Sequence, residues 1–242
     1  MARPPLLSEL VRFCHPAKIL AGTRLPGGLD EAAIAALYGS DAWRDLAAAM
    51  DAAAARAAAA LPAPPREPVL ALGDSITDDL GSWAEILRHA GAAVVNGGLS
   101  GDTTAGARVR LTRLLEARPR WAVVLLATND ARRHGGPMLV SHDETRRNLA
   151  AIDARLRRCC DRVVWVTPPP VADPVRLEPD LLWRLDDVAA KAELVRDLDR
   201  HAVDLWPGWR PEYLMADGLH PSAAGQAFIA RSVARASRPR SA

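Results

Sequence analysis

The chain has 242 residues, 49% hydrophobic and 25% charged, with a formal net charge of +2. That is enough apolar material for one globular domain with a sizeable core and an appendage, and too little charge imbalance to imply nucleic acid as a partner. Cys14, Cys159 and Cys160 form no Cys-x-x-Cys pair, the start lacks the apolar stretch of a signal peptide, and no apolar run approaches a membrane span, so a zinc site, a disulfide framework and a membrane protein are not expected and a cytoplasmic location is the default.

Residues 1–29 are irregular, broken by Pro4, Pro5, Pro16, Pro26, Gly27 and Gly28. Asp30 can cap a short helix through Ile34 and Leu37, which Gly39 ends, and Asp41 can cap a longer one carrying Trp43, Leu46 and Met50. The second half of that helix, 52–60, is nearly all alanine, which favours helix but buries little. Leu61 to Pro68 reads as a stiff proline-rich linker. The arm over 1–67 is too small for a substantial core of its own. It is expected to pack on the main domain, 68–242, or on a second subunit, which leaves a homo-oligomer through the arm open.

From Pro68 the pattern alternates strand and helix. Val69 to Leu72 is a buried strand by length, halted at Gly73. A helix over Trp83, Ile86 and Leu87 closes at Gly91, Ala92 to Val95 is a short strand, and the loop Asn96 to Thr104 leads to a helix bearing Val109, Leu111, Leu114 and Leu115. Trp121 to Ala127 is the third strand, a helix spans about 143–158, and Arg162 to Thr167 is the fourth strand, stopped by Pro168, Pro169 and Pro170. A helix over about 179–200 precedes a short fifth strand, 202–206, and the last helix starts near Ser222 and carries Ala227, Ile229 and Val233. Such alternation predicts a parallel sheet covered on both faces. Right-handed crossovers would bring three polar stretches to one edge: Gly73 to Ser75, Asn96 to Thr104, and Thr128 to Asp130.

Ser75, just past a strand end, can be a nucleophile or a helix N-cap. In Met215-Ala-Asp217-Gly-Leu-His220-Pro221, a loop bounded by glycine and proline can turn Asp217 toward one imidazole nitrogen of His220 and leave the other free as a base. Asp near His in a loop is also a common local hydrogen bond or cap. Asn129 and Asp130 can form an Asx-turn, Gly101 a turn, and Asp102 or Thr103 a helix cap. Asp74, Asp78 and Asp79 read as structural or solvated. Arg132, Arg133 and His134 fit a solvated loop or an anionic substrate. Trp183, Trp206 and Trp209 fit core positions or a pocket lining, and the Pro168 to Pro170 run can wall the edge.

Taken together, four stretches resemble the SGNH (GDSL-type) serine hydrolase family, over a span from about Pro68 to about Arg235. Gly73-Asp74-Ser75 matches its first block, Ser100-Gly101-Asp102-Thr103-Thr104 its second, Ala127-Thr128-Asn129-Asp130 its third, and Asp217-Gly-Leu-His220 its last. The resemblance implies a three-layer α/β/α fold with a mostly parallel, about five-stranded flavodoxin-like sheet. It implies Ser75 as nucleophile, His220 as general base and Asp217 as its orienting partner. The Ser75 amide, the Gly101 amide and the Asn129 side chain would form the oxyanion hole, and no cofactor or metal is called for. Ala127 departs from the family's glycine. The leading expectation is an esterase acting on a small-molecule ester with a small acyl group. The alternatives are an acyltransferase using the same acyl-enzyme, and a non-catalytic binding module that keeps the fold. A dinucleotide site is disfavoured, because no Gly-x-Gly-x-x-Gly follows the first strand.

Overall fold

Short, near-continuous apolar runs become the strands of a sheet buried on both sides. In a computed structural model that describes residues 41–178 and 180–237, four parallel strands are β1 (Val69–Gly73), β2 (Val94–Gly98), β3 (Trp121–Leu125) and β5 (Arg162–Val166), ordered β2-β1-β3-β5. Val69 lies opposite both Val94 and Trp121, and Trp121 opposite Arg162, so the strands end level at one edge. The expected helix over Ile34 and Leu37 and the breakers before it lie outside the described residues.

The pleat sorts alternate side chains into two layers. Val69, Ala71, Val123, Leu125, Val164 and Val166 face α1 (Asp41–Ala58), α3 (Trp83–His89) and α7 (Ala223–Ala236). Leu70, Leu72, Ala122, Val124, Val163 and Trp165 face α4 (Thr104–Leu114), α5 (His142–Cys159) and α6 (Leu185–Leu198). This is the expected three-layer α/β/α arrangement. A short helix, α2 (Ser75–Asp78), follows β1 directly. The alanine-rich end of α1 joins the first core layer through Ala54 and Ala58, and Met50 packs against Gly81. No helix among the described residues is long and apolar enough to cross a membrane.

Two expectations need correction. The fifth strand shrinks to a single parallel bridge between Val166 and Val203, with the Val203 amide donating to Trp165 O at 2.7 Å. Its continuation is diverted: Thr167 Oγ1 takes the Leu205 amide at 3.0 Å, and Pro207 helps turn the chain into a 3₁₀ segment over Trp206–Gly208. The helix expected from about 179 instead begins at Leu185. Ahead of it, β6 (Val175–Glu178) and β7 (Leu181–Trp183) pair antiparallel, and β7 also pairs β4 (Arg133–His134), in a small sheet of order β4-β7-β6. Its anchor is Trp183, buried with Ala131, Val171, Val175, Val188 and Leu219, its Nε1 donating to Thr128 O at 3.1 Å. This sheet sits beside the third polar stretch at the strand ends.

Candidate active site

β1 ends at Gly73 because the chain doubles back there: a Cβ at Gly73 would lie 2.0 Å from Thr77 Oγ1 and 2.9 Å from Leu125 O. Asp74 is the N-cap of α2, its Oδ1 accepting from the Ile76 amide at 3.0 Å. Ser75 is therefore the first helical residue and not the cap. The loop before α7 folds on itself. Met215 N donates to His220 O at 2.8 Å, and Gly218 takes a φ of 71°. Asp217 Oδ1 accepts from the Leu219 and His220 amides at 2.8 and 2.9 Å, and Oδ2 lies 2.7 Å from His220 Nδ1.

An ionised carboxylate can only accept, so Nδ1 carries the proton in that contact and Nε2 of the neutral ring is left as an acceptor. Nε2 lies 2.9 Å from Ser75 Oγ. Burial alone would raise the Asp217 pKa, but the hydrogen bond and charge of His220, with the two amides, outweigh it and hold the carboxyl below the usual range.

Across Ser75 lie the ends of β2 and β3. Gly101 has a φ of 76° and faces open space, so glycine answers a backbone requirement there rather than crowding. Asn129, on a 3₁₀ turn over Asn129–Ala131, makes no Asx-turn; its Nδ2 donates to Asp102 O at 3.0 Å. An amide nitrogen has two protons, so one is anchored and one remains for a ligand. Thr103, not Asp102, caps α4.

Side chains beyond the proposed triad and oxyanion donors hold these loops in register. Arg110 on α4 donates from Nε to Asp102 Oδ2 at 2.7 Å, from Nη2 to Gly73 O at 2.9 Å, and from Nη1 to Gly97 O. One guanidinium thus ties the ends of β1 and β2 to the residue that orients Asn129. Burial raises the Asp102 pKa, partly offset by Arg110. Gln226, fully buried on α7, donates to Ile76 O at 3.0 Å and accepts from the Trp83 amide at 2.9 Å, binding the helix after His220 to the one after Asp74. Asp130 accepts from the Thr104 amide, Thr104 Oγ1 and Thr145 Oγ1 at 2.9, 2.6 and 2.7 Å. Buried Lys191, its pKa lowered to about 8 by burial, donates to Thr145 Oγ1 at 2.8 Å. Asp130 lies in the third block, but no motif announces Arg110, Gln226 or Lys191; only the crossing of helices over strand ends brings them in.

The three carboxylates near Ser75 are buried rather than solvated. Asp78 Oδ2 accepts from the Ser100 amide and hydroxyl, both at 3.0 Å, and Asp79 Oδ1 from the Gly81 amide at 3.0 Å. Asp74 Oδ2 has no hydrogen-bond partner among the described residues. Burial first, then the nearby Asp102 and Asp130, raise the Asp74 pKa to about 7. Arg133 forks onto Asp187 at 2.6 and 2.9 Å. Trp183 is core, while Trp206 and Trp209 are half-buried. Pro168 and Pro169 are buried and Pro170 half-buried. Cys160 is buried, its thiol pushed up to about 11 by burial.

Residues 71–228 match the GDSL-like lipase/acylhydrolase family. An arylesterase of Vibrio mimicus is 29% identical over 188 residues, spanning 70% of this chain and 87% of the relative. Thioesterase 1/protease 1/lysophospholipase L1 of Escherichia coli K12 is 28% identical over 188 residues, spanning 71% and 83%. The crystal structure of a lipase/acylhydrolase from Enterococcus faecalis superposes with a TM-score of 0.57 at 24% identity, over 73% of this chain and all of that one, a likeness of fold. The chain belongs to the GDSL-like lipase/acylhydrolase family and is a carboxylic ester hydrolase of that type.

Proposed function

We propose that the protein hydrolyses esters of a small acyl group through an acyl-enzyme on Ser75. The observation that carries this reading is the unbroken run of contacts from Ser75 Oγ to His220 Nε2 at 2.9 Å and from His220 Nδ1 to Asp217 Oδ2 at 2.7 Å. A serine hydroxyl is a weak nucleophile until a base takes its proton. His220 Nε2 takes that proton as Oγ bonds to the ester carbonyl carbon, and the imidazolium returns it to the departing alkoxide as the carbon–oxygen bond breaks. A water then attacks the acyl carbon with the same base, releasing the acid and restoring Ser75. Asp217 keeps Nδ1 protonated and stabilises the imidazolium. The Ser75 and Gly101 amides and the spare Asn129 N–H are the donors for the oxyanion, at their most useful where charge develops.

Ser75, Asn129 and His220 are only 8%, 5% and 9% exposed, and esters of small acyl groups are the first probes of so buried a set. The two relatives direct the choice of probes to short-chain aryl esters and thioesters. A serine-directed phosphonate should label Ser75 alone, and Ser75→Ala should lower turnover of such a probe by about 10⁴ or more. Label on another residue, or an active Ser75→Ala protein, overturns the reading.

A further inference from the structure

The other arginines around the strand ends have their partners: Arg110 has Asp102 and two carbonyls, Arg108 donates to Asn148 Oδ1 at 3.0 Å, and Arg133 forks onto Asp187. Arg132 differs. It is half-buried, yet no hydrogen bond or ion pair meets its guanidinium among the described residues. Burial lowers its pKa, and no acidic neighbour among the described residues acts against that. The nearby carboxylates are engaged: Asp130 by two threonines, Asp102 by Arg110 and Asp187 by Arg133. Taking a cation partly out of water with no counter-ion is costly, and structural arginines are normally paired.

The position is well fixed. Arg132 N donates to Asn129 O at 3.2 Å, closing one turn, so the two Cα atoms lie within about 7 Å of each other. Its own carbonyl accepts from Leu139 N at 2.6 Å, and the next residue enters β4. Arg132, which caps the 3₁₀ turn over Asn129–Ala131, has φ −60° and ψ 134°, and the Arg133 side chain beside it is engaged by Asp187 on α6. A long side chain rooted one turn from Asn129 can meet a substituent of a substrate whose carbonyl is held at Asn129.

Resting on the Ser75 reading above, we propose that Arg132 sets specificity by binding an anionic group, a carboxylate or a phosphate, carried by the ester. A guanidinium pairs with either through two parallel N–H···O bonds, and such pairs strengthen when water is partly excluded. The anion supplies the counter-ion that the described residues do not.

Two matched pairs distinguish the sources of charge. Monomethyl succinate against methyl butyrate carries the anion on the acyl side, and 1-acetylglycerol 3-phosphate against 1-acetylglycerol carries it on the alcohol side. In one pair the wild-type kcat/KM should favour the charged member by about tenfold or more at low salt, and added salt should erode that ratio. Arg132→Met should lower the charged-to-neutral ratio by about 10- to 100-fold, chiefly through KM, with Arg132→Lys between the two. Ratios near one in both wild-type pairs, or a ratio that Arg132→Met leaves unchanged, overturn the proposal. If the wild-type protein cleaves none of the four esters and the phosphonate leaves Ser75 unlabelled, the Ser75 reading is what fails. Calorimetric titration with succinate and glycerol 3-phosphate then reads Arg132 directly. Binding at least about tenfold weaker in Arg132→Met supports the proposal, and no wild-type binding of either anion overturns it.

Discussion

The two sides of the candidate site are built in opposite ways. The base side is local: Asp217 and His220 share one loop, and Asp217 Oδ1 holds the Leu219 and His220 amides while Oδ2 meets the ring. The proposed oxyanion side is distributed. Ser75, Gly101 and Asn129 follow three different strands, and they are held in register by Arg110 from a helix and by Asp78 bonding Ser100. A local device stands or falls with one residue, whereas a distributed one should lose function by degrees. Asp217→Asn tests the first half of that contrast and carries the larger expected effect of the two sides. Asparagine can still accept the two loop amides, but it offers the imidazole an N–H and favours the wrong tautomer. We expect kcat to fall by up to about 10⁴ while the urea midpoint barely moves. A fall below tenfold with an intact fold would place the orienting acid elsewhere.

The oxyanion side should answer less steeply. Asn129→Ala removes one donor and should lower kcat by about 10² to 10³ with little change in KM. Arg110→Met removes no donor but loosens three loops together, so about 10- to 100-fold is expected, with Arg110→Lys milder because it keeps the charge without the fork. Because Arg110 holds Asp102, whose carbonyl holds Asn129, the double variant should lose less than the product of the two single losses. Losses that multiply would break the comparison, since they would make the guanidinium independent of the amide it is argued to aim.

The same contrast explains what the sequence could convey. Ser75 and the Asp217–His220 pair were legible as candidates, and meet in the fold, because each sits in a short motif that closes its own turn. The parallel strands were legible because double coverage leaves an unbroken apolar run, as in Val69 to Leu72. β7 was not: Leu181, Leu182 and Trp183 run into Val188, Ala192 and Val195, and so short an apolar run fits strand and helix alike until its partners are known. Arg110 could not be found by spacing, because its three acceptors belong to segments that meet only in the folded chain. Ala127 was visible as a departure but not its consequence. It has a φ of 85°, a left-handed backbone that costs an alanine about 1–2 kcal/mol and a glycine little. The strain lies two residues before Asn129.

Asp74 offers the finest test of the oxyanion side, through stability rather than rate. Its carboxyl is fully buried beside Ser75, with Oδ1 on the Ile76 amide and Oδ2 without a hydrogen-bond partner among the described residues. An anion there would oppose the negative charge of the tetrahedral intermediate; a neutral carboxyl would not. Burial, helped by Asp102 and Asp130, raises its pKa from 3.8 to about 7. Between those values the folded protein keeps a proton that the unfolded chain has released. This contribution to stability is therefore complete below the unfolded value and lost as pH rises through the folded one. In Asp74→Asn the side chain cannot ionise, and asparagine caps a helix about as well as aspartate. Denaturation midpoints of the wild type and Asp74→Asn, taken from pH 4 to pH 8, should diverge steadily. The variant should gain on the wild type by an amount on the order of a few kcal/mol, nearly all of it below about pH 7.5. Parallel curves would mean that Asp74 ionises in the fold as easily as in water. The oxyanion donors would then have to work against a permanent neighbouring charge.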